Sequence, residues 1–349
     1  MSAAPPLPQE DLDHVLAHTR GLWEEARGQA FFITGGTGFF GMWLLESFAH
    51  INDALGLGMR ATVLTRDPAR FAAKAPHLAD RADLSFLAGD VRSFAFPGGA
   101  FPYVIHAATE TSSKQGDEAQ QELLDAIIGG TRRTLDFAAQ AGTKKFLLTS
   151  SGAVYGRQPG ELTHVPESYA GAPDPLLPAS AYGEGKRISE HMCAVHARRF
   201  GYETKIARCF AFVGPHLPLD AHFAIGNFIR DAMRGGPIQI GGDGTPCRSY
   251  LYASDLVVWL WTILFRGPGG CAYNVGSGES LSIREAAEAT GAALGLKDSV
   301  RVARAATPGQ APSRYVPEVA KARCDLGLEV LIDLTTSVQK TVQWCKKSN

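Results

Sequence analysis

The chain has 349 residues, with 34 Lys plus Arg against 35 Asp plus Glu and a formal charge of −1. That balance excludes a polybasic nucleic-acid binder or a protein held by charge to an anionic membrane. The longest apolar run, 256–265, broken only by Thr262, is about half of the ~20 residues a spanning helix needs. Six widely spaced cysteines carry neither a paired zinc motif nor a disulfide rhythm, and the polar, proline-rich start is unlike a secretory leader. A soluble, reduced, cytoplasmic protein is the expectation.

Residues 1–29 read as a helical extension, with the helix over 11–27 placed outside the main fold. His14 and His18 share a helical face there, but nothing nearby supplies further ligands, so both read as surface residues, and no metal site is legible. From residue 30, continuous apolar runs alternate with helical stretches. Strands are expected at 30–34, 60–65, 84–88, 103–107, 145–149 and 204–208, with a helix from about 39 to 50 after the first. Runs that are apolar throughout belong to a parallel sheet covered on both faces, and the alternation predicts a Rossmann-type doubly wound α/β fold. Beyond Gly214-Pro215 the pattern breaks into glycine- and proline-rich turns. This divides the chain into a dinucleotide-binding domain over 30–215, rejoined near 248–275, and a smaller C-terminal substrate-binding lobe from 216–247 and 276–349.

The first chemical motif is Thr34-Gly35-Gly36-Thr37-Gly38-Phe39-Phe40-Gly41, lying between a strand and a helix. A glycine turn in that setting lets the backbone approach a pyrophosphate, with the positive helix end aimed at it. The end of the second strand reads Leu64-Thr65-Arg66-Asp67-Pro68. A ribose 2′-hydroxyl calls for Asp or Glu at this place and a 2′-phosphate for a cation. Thr65 stands at the acidic position, so Arg66 favours NADP over NAD. The competing reading leaves Arg66 as a solvated charge and gives the ribose of NAD to Asp67.

The second motif is Tyr182-Gly183-Glu184-Gly185-Lys186. Four residues apart, the phenol and the ammonium share a helical face, where the charge can lower the phenol's pKa. A strand-end serine, Ser151 in Thr149-Ser150-Ser151, can bind the oxygen on which that phenol acts. Asp90, Val91, Ala107, Ala108 and Thr109 also follow strands and should converge on the same crevice.

With these pieces in place, residues 30–345 resemble an extended short-chain dehydrogenase/reductase of the nucleotide-sugar epimerase and dehydratase family. The likeness also rests on Gly89-Asp90-Val91, His106-Ala107-Ala108, Ser151-Gly152-Ala153-Val154-Tyr155-Gly156, Arg208-Cys209-Phe210, Gly242-Asp243-Gly244 and the run Arg248-Ser249-Tyr250-Leu251-Tyr252. The resemblance implies Ser151, Tyr182 and Lys186 as catalytic residues. It implies a cofactor site of Gly35, Thr37, Gly38, Phe39, Phe40, Gly41, Arg66, Asp90, Val91, Ala107, Ala108, Thr109, Tyr182 and Lys186, with Asp90 at the adenine. For the substrate it implies Thr109, Ser151, Asn227, Arg248 and Arg314, the two arginines and the asparagine holding a nucleoside diphosphate. It also implies a homodimer built on helices 117–141 and 182–200, with Leu123, Leu124, Ile127 and Ile128 supplying apolar surface.

The departures narrow the chemistry. Family 4,6-dehydratases carry Asp-Glu directly after the catalytic hydroxyl, and UDP-glucuronate decarboxylases a glutamate at the second place; here stand Gly152 and Ala153. Neither can carry a proton. Ala211 replaces an asparagine common in the family. Glu110, Thr111, Ser112 and Ser113 are expected to border the sugar, and Glu110 or Glu167 could in principle supply a carboxylate. The resulting expectation is an NAD(P)-dependent nucleotide-sugar epimerase acting at C4. The alternatives are an NADPH-dependent nucleotide-4-keto-sugar reductase and a non-catalytic dinucleotide sensor, the last disfavoured by the intact Ser151, Tyr182 and Lys186.

Overall fold

The computed structural model describes residues 3–109, 116–221, 223–296 and 299–347. The chain opens with α1 (Gln9–Thr19) and a 3₁₀ segment over Arg20–Ala26. It continues through β1 (Ala30–Thr34), α2 (Phe39–Leu55), β2 (Arg60–Thr65), the short helices α3 (Pro68–Lys74) and α4 (Pro76–Ala79), β3 (Leu84–Ala88) and β4 (Tyr103–His106). Then come α5 (Asp117–Gln140), β5 (Lys145–Ser151), α6 (Ala181–Phe200), β6 (Glu203–Cys209) and β7 (Phe212–Val213). The remainder holds α7 (Ala224–Met233), β8 (Ile238–Ile240), β9 (Cys247–Arg248), β10 (Leu251–Tyr252), α8 (Ala253–Arg266), β11 (Ala272–Val275), β12 (Leu281–Ser282), α9 (Ile283–Ala293), β13 (Val300–Val302), β14 (Arg314–Tyr315), α10 (Ala320–Leu326) and α11 (Leu334–Lys347).

Seven strands form one parallel sheet in the order β11-β6-β5-β4-β1-β2-β3. Each inner strand alternates its side chains between two apolar layers. Phe31, Ile33, Val63, Ile105 and Leu147 face the layer built with α2 and α8, while Phe32, Leu64, Val104, Phe146 and Leu148 face the other layer. Burial on both faces is why these strands read as unbroken apolar runs rather than as alternating ones. On the second face, α5 and α6 pack side by side. Three smaller sheets lie outside the main one: β7 with β10, β8 with β13, and β9 between β12 and β14. The return to the main sheet is made by β11, whereas Arg248 belongs to β9 in a small sheet.

The N-terminal segment is not outside the fold. Leu12, Val15, Trp23 and Ala26 are buried in the main core, and the Trp23 and Trp261 rings meet edge-on at 4.8 Å. Two buried carboxylates bind the segment to the rest. Asp11 accepts hydrogen bonds from Tyr252 Oη (2.8 Å) and Lys340 Nζ (2.9 Å). Asp255, fully buried, lies 3.0 Å from His14 Nε2 and accepts the backbone N–H groups of Leu331 and Ile332. His14 therefore joins α1 to α8, and only His18 is the exposed residue expected of both. The polar pattern concealed this because the polar side chains of α1 meet buried partners distant in sequence.

No helix among the described residues is long and apolar enough to cross a membrane. All six cysteines are unpaired thiols, and no group of His, Cys, Asp or Glu among the described residues is arranged to hold a metal ion.

Candidate functional site

Strand order reverses between β1 and β4, neighbours that send their connections to opposite sides. Ligands of open α/β sheets bind beyond the carboxyl ends of strands at such a reversal. A cleft of about 1060 Å³ opens there.

The glycine turn forms its floor. Gly35 has φ 75°, and a Cβ on it would come within 2.4 Å of the Ala107 carbonyl, so only glycine lets the turn close against the end of β4. Gly38 caps α2, whose first turn carries N–H groups without intrahelical acceptors. Gly35, Thr37, Gly38, Phe39 and Phe40 line the cleft. Gly41 does not; a Cβ there would strike Gly36 at 2.2 Å, so Gly41 serves the packing of helix on turn. This cradle fits the pyrophosphate of a dinucleotide, a doubly charged group that needs backbone donors and close approach.

At the end of the cleft beyond β2 and β3, Arg66, Asp90, Val91 and Arg92 line the wall. Asp90 accepts from Arg92 through Nε (2.8 Å), Nη2 (3.0 Å) and the backbone N–H (2.9 Å), and this guanidinium holds its carboxyl below the usual range. Arg66 lies close enough to add to that effect. Asp67 is occupied elsewhere: its Oδ1 accepts the Arg70 N–H at 2.9 Å and caps α3. Asp67 is not among the cleft residues.

At the other end the sheet and α6 bring together Ser151, Tyr182 and Lys186. Ser151 is the last residue of β5, and its hydroxyl lies near enough to the Tyr182 phenol to favour the ionised form. Lys186 Nζ donates to Thr109 Oγ1 at 2.6 Å and to the Thr149 carbonyl at 2.7 Å. Ala107, Ala108 and Thr109 complete the wall. Burial pushes the Tyr182 phenol up to about 12 and the Lys186 ammonium down to about 8. The ammonium is 6.0 Å from the Tyr182 ring centroid; desolvation governs the phenol, and the lowering expected from the Tyr-Lys spacing is not seen.

The three residues expected to hold a diphosphate divide. Arg248 lines the cleft and anchors itself through Nη1 to the Cys247 carbonyl at 2.8 Å. Asn227 does not line it: its amide donates to the Ala221 carbonyl (3.1 Å) and accepts from Arg230 (2.9 Å). Arg314 is also absent from the lining, for a geometric reason. Neighbouring residues of a strand point to opposite faces, and in β14 it is Tyr315 that faces the cleft.

Tyr315 is the residue that sequence reasoning missed. Its Oη lies 3.2 Å from Ser151 Oγ, and its ring packs on Phe210 at 4.7 Å. The pair Arg314-Tyr315 was legible, but which member faces inward was not. Phe210, Phe212, Phe223, Tyr250 and Ile283 also line the cleft; Phe210 and Tyr250 stand in family motifs, though with no site role assigned to them from sequence.

Phe210 also accounts for Gly152. A Cβ on that glycine would lie 2.6 Å from Phe210 Cζ, so the aromatic ring fills the space a side chain would need. Glu167 is engaged as well, its Oε1 accepting the Asn274 N–H at 2.8 Å away from the cleft. Glu110, Thr111, Ser112 and Ser113 lie outside the described residues. Among the described cleft residues the carboxylates are Asp90 and Glu122, neither of them beside Ser151 in the chain.

Comparison with known proteins agrees with this geometry. The family described as "NAD dependent epimerase/dehydratase family" matches residues 31–276. UDP-glucuronic acid decarboxylase 1 of Xenopus tropicalis is 27% identical over 316 residues, spanning 90% of this chain and 72% of the relative. MoeE5, solved in complex with UDP-glucuronic acid and NAD, superposes with a TM-score of 0.73 at 26% identity, over 92% of this chain and all (100%) of its own. The UDP-glucuronic acid 4-epimerase of Bacillus cereus, solved with NAD, shares the fold with a TM-score of 0.75 at 21% identity, over 91% of this chain and 97% of its own. With a glycine turn at the sheet's switch point and Ser151, Tyr182 and Lys186 gathered opposite it, the chain belongs to the NAD-dependent epimerase/dehydratase family of extended short-chain dehydrogenases/reductases.

Proposed function

We propose that this protein moves a hydride to and from C4 of a nucleoside-diphosphate sugar, interconverting C4 epimers with a retained NAD(P). The observation that carries this reading is the composition of the reaction end, a hydroxyl, a phenol and an ammonium, with the Phe210 ring where an acid at position 152 would stand. Relatives named as decarboxylases and epimerases of UDP-glucuronic acid support a nucleotide sugar as substrate. Elimination or decarboxylation would call on the carboxylate that Gly152 and Ala153 lack.

In this reading the nicotinamide, when bound, accepts or returns the hydride. The Tyr182 phenol gives its proton to the C4 oxygen as a carbonyl is reduced and takes it back as the alcohol is oxidised. Ser151 donates a hydrogen bond to the same oxygen. Lys186, fixed by Thr109 and Thr149, supplies positive charge behind the phenol. Arg248 holds the diphosphate, and Arg is suited to the task by its planar fork.

A second reading, an NADPH-dependent 4-keto-sugar reductase, is favoured by Arg66. Arg66 lines the adenosine end, Thr65 is not acidic, and Asp67 is spent on capping α3. The same three observations support NADP over NAD. Ser151, Tyr182 and Lys186, all lining one cleft, weigh against a purely sensing role. We further propose a homodimer formed through α5 and α6. Incubation with a panel of nucleotide sugars, with and without NADPH, followed by mass and NMR, tests the function. Inversion without mass change supports epimerisation, and gain of two hydrogens by a 4-keto sugar supports reduction. Loss of water or carbon dioxide would overturn both.

A further inference from the structure

A serine hydroxyl has one hydrogen to give and two lone pairs to fill. At Ser151 one lone pair takes the Ala153 N–H at 3.1 Å. Tyr315 Oη lies 3.2 Å away, and its single hydrogen can go to Ser151 or to the Cys209 carbonyl, the more distant acceptor at 3.4 Å. When Tyr315 donates to Ser151, both lone pairs are filled, and the serine's own hydrogen is left to point toward Tyr182 and the cleft.

We propose that Tyr315 is a positioning residue that sets Ser151 as a hydrogen-bond donor toward the reacting oxygen, and that it links this setting to nucleotide binding. The link is the small sheet outside the main one. Tyr315 pairs with Arg248 across β14 and β9, and the Arg248 guanidinium carbon sits 6.0 Å from the Tyr315 ring centroid. Phe210 packs against the same ring at 4.7 Å. A diphosphate drawn to Arg248 thus holds the strand pair whose next function is to orient Ser151. The kinetic half of this inference rests on the C4 hydride-transfer reading; the spectroscopic half does not.

Tyr315→Phe keeps the ring against Phe210 and removes only the hydroxyl. Its kcat is expected to fall about 10-fold, the loss of roughly 1.4 kcal/mol of transition-state stabilisation, with KM and cofactor affinity within about 2-fold of wild type. In a Ser151→Ala background the same change should cost nothing further, because no hydroxyl remains to orient. An equal loss in both backgrounds would overturn the proposal. The second measurement follows the Tyr182 phenol by NMR of 13Cζ-tyrosine protein loaded with NAD+, its resonance identified by its absence in Tyr182→Phe. Tyr315→Phe should move that titration to higher pH, since the Ser151 hydrogen bond that favours the phenolate is no longer held in place. An unmoved titration overturns the role of Tyr315 whatever the substrate. A moved titration in a protein that exchanges no hydride with any nucleotide sugar leaves Tyr315 standing and sinks the C4 reading instead.

Discussion

A Cβ built on Gly152 would lie 2.6 Å from Cζ of Phe210, well inside van der Waals contact. The missing carboxylate beside Ser151 is therefore a packed arrangement and not a simple vacancy in the sequence. Gly152→Asp should destabilise the protein by about 1–3 kcal/mol through overpacking. It should bring no elimination activity, because the ring denies the new carboxyl its place. Urea denaturation and a product assay check both parts, and a stable variant that releases water would refute the account.

Tyr182→Phe should abolish turnover while leaving cofactor affinity within about 2-fold of wild type, since the hydroxyl that it removes is proposed to move a proton while the ring that lines the cofactor site stays. Lys186→Met should lose turnover and also weaken the cofactor, since the family resemblance gives the lysine both tasks. Titration of NAD(P) binding by fluorescence, beside the rate assay, separates the two. Turnover by Tyr182→Phe within a few-fold of wild type removes the phenol from the mechanism.

Arg66→Ala should weaken NADPH by about 1.5–3 kcal/mol, the scale of a charged hydrogen bond, and leave NADH unchanged. Calorimetric titration of both cofactors is the measurement. Equal effects on the two, or none on either, would exclude Arg66 as the partner of a 2′-phosphate.

His106, at the end of β4, is buried between Thr34 Oγ1 (2.7 Å) and Thr131 Oγ1 (3.2 Å). Burial, with Lys186 adding to it, pushes the imidazole down to about 3. Below about pH 6.5 the unfolded chain protonates this histidine and the folded one does not, so the unfolded state binds more protons and stability falls as pH falls. The loss should approach about 1.4 kcal/mol per pH unit below that point. Denaturation midpoints between pH 6.5 and 5, above the carboxylate range, should slope in wild type and slope less steeply in His106→Gln, where His196 and His216, also pushed down by burial, keep the remainder. An equal slope in both would place the acid sensitivity elsewhere.

The dimer expectation changes in detail. Leu123 and Ile127 are buried in this chain, and Leu124 and Ile128 are half-buried. On α6, Ile188 and Val195 are 39% and 49% exposed, one heptad apart and so on one face. Light scattering at micromolar concentration should give a dimer mass, and Val195→Glu should give a monomer. A monomeric wild type would defeat the assembly.

The main sheet was legible because strands buried on both faces leave unbroken apolar runs that neighbouring residues alone reveal. The site was legible where its residues follow strands or sit one helical turn apart: the glycine turn, Asp90, Ser151, and Tyr182 with Lys186. Asn227 was misplaced because its amide is taken up by the near neighbours Ala221 and Arg230, and Arg314 because strand alternation turns Tyr315 instead toward the cleft. For α1 the reason is distance: its Asp11 and His14 are partnered by residues more than two hundred positions away.

Sequence by itself thus determined the fold class, the dinucleotide cradle and the chemistry available at the reaction end, since each depends on residue type and local spacing. Only the tertiary structure decided that Tyr315 rather than Arg314 faces Ser151, that Phe210 occupies the space beside Gly152, and that burial sets the protonation of Tyr182 and Lys186. Those facts depend on which surfaces meet across the chain, and the direction of a side chain, like the water it loses, is set by neighbours that sequence order does not name.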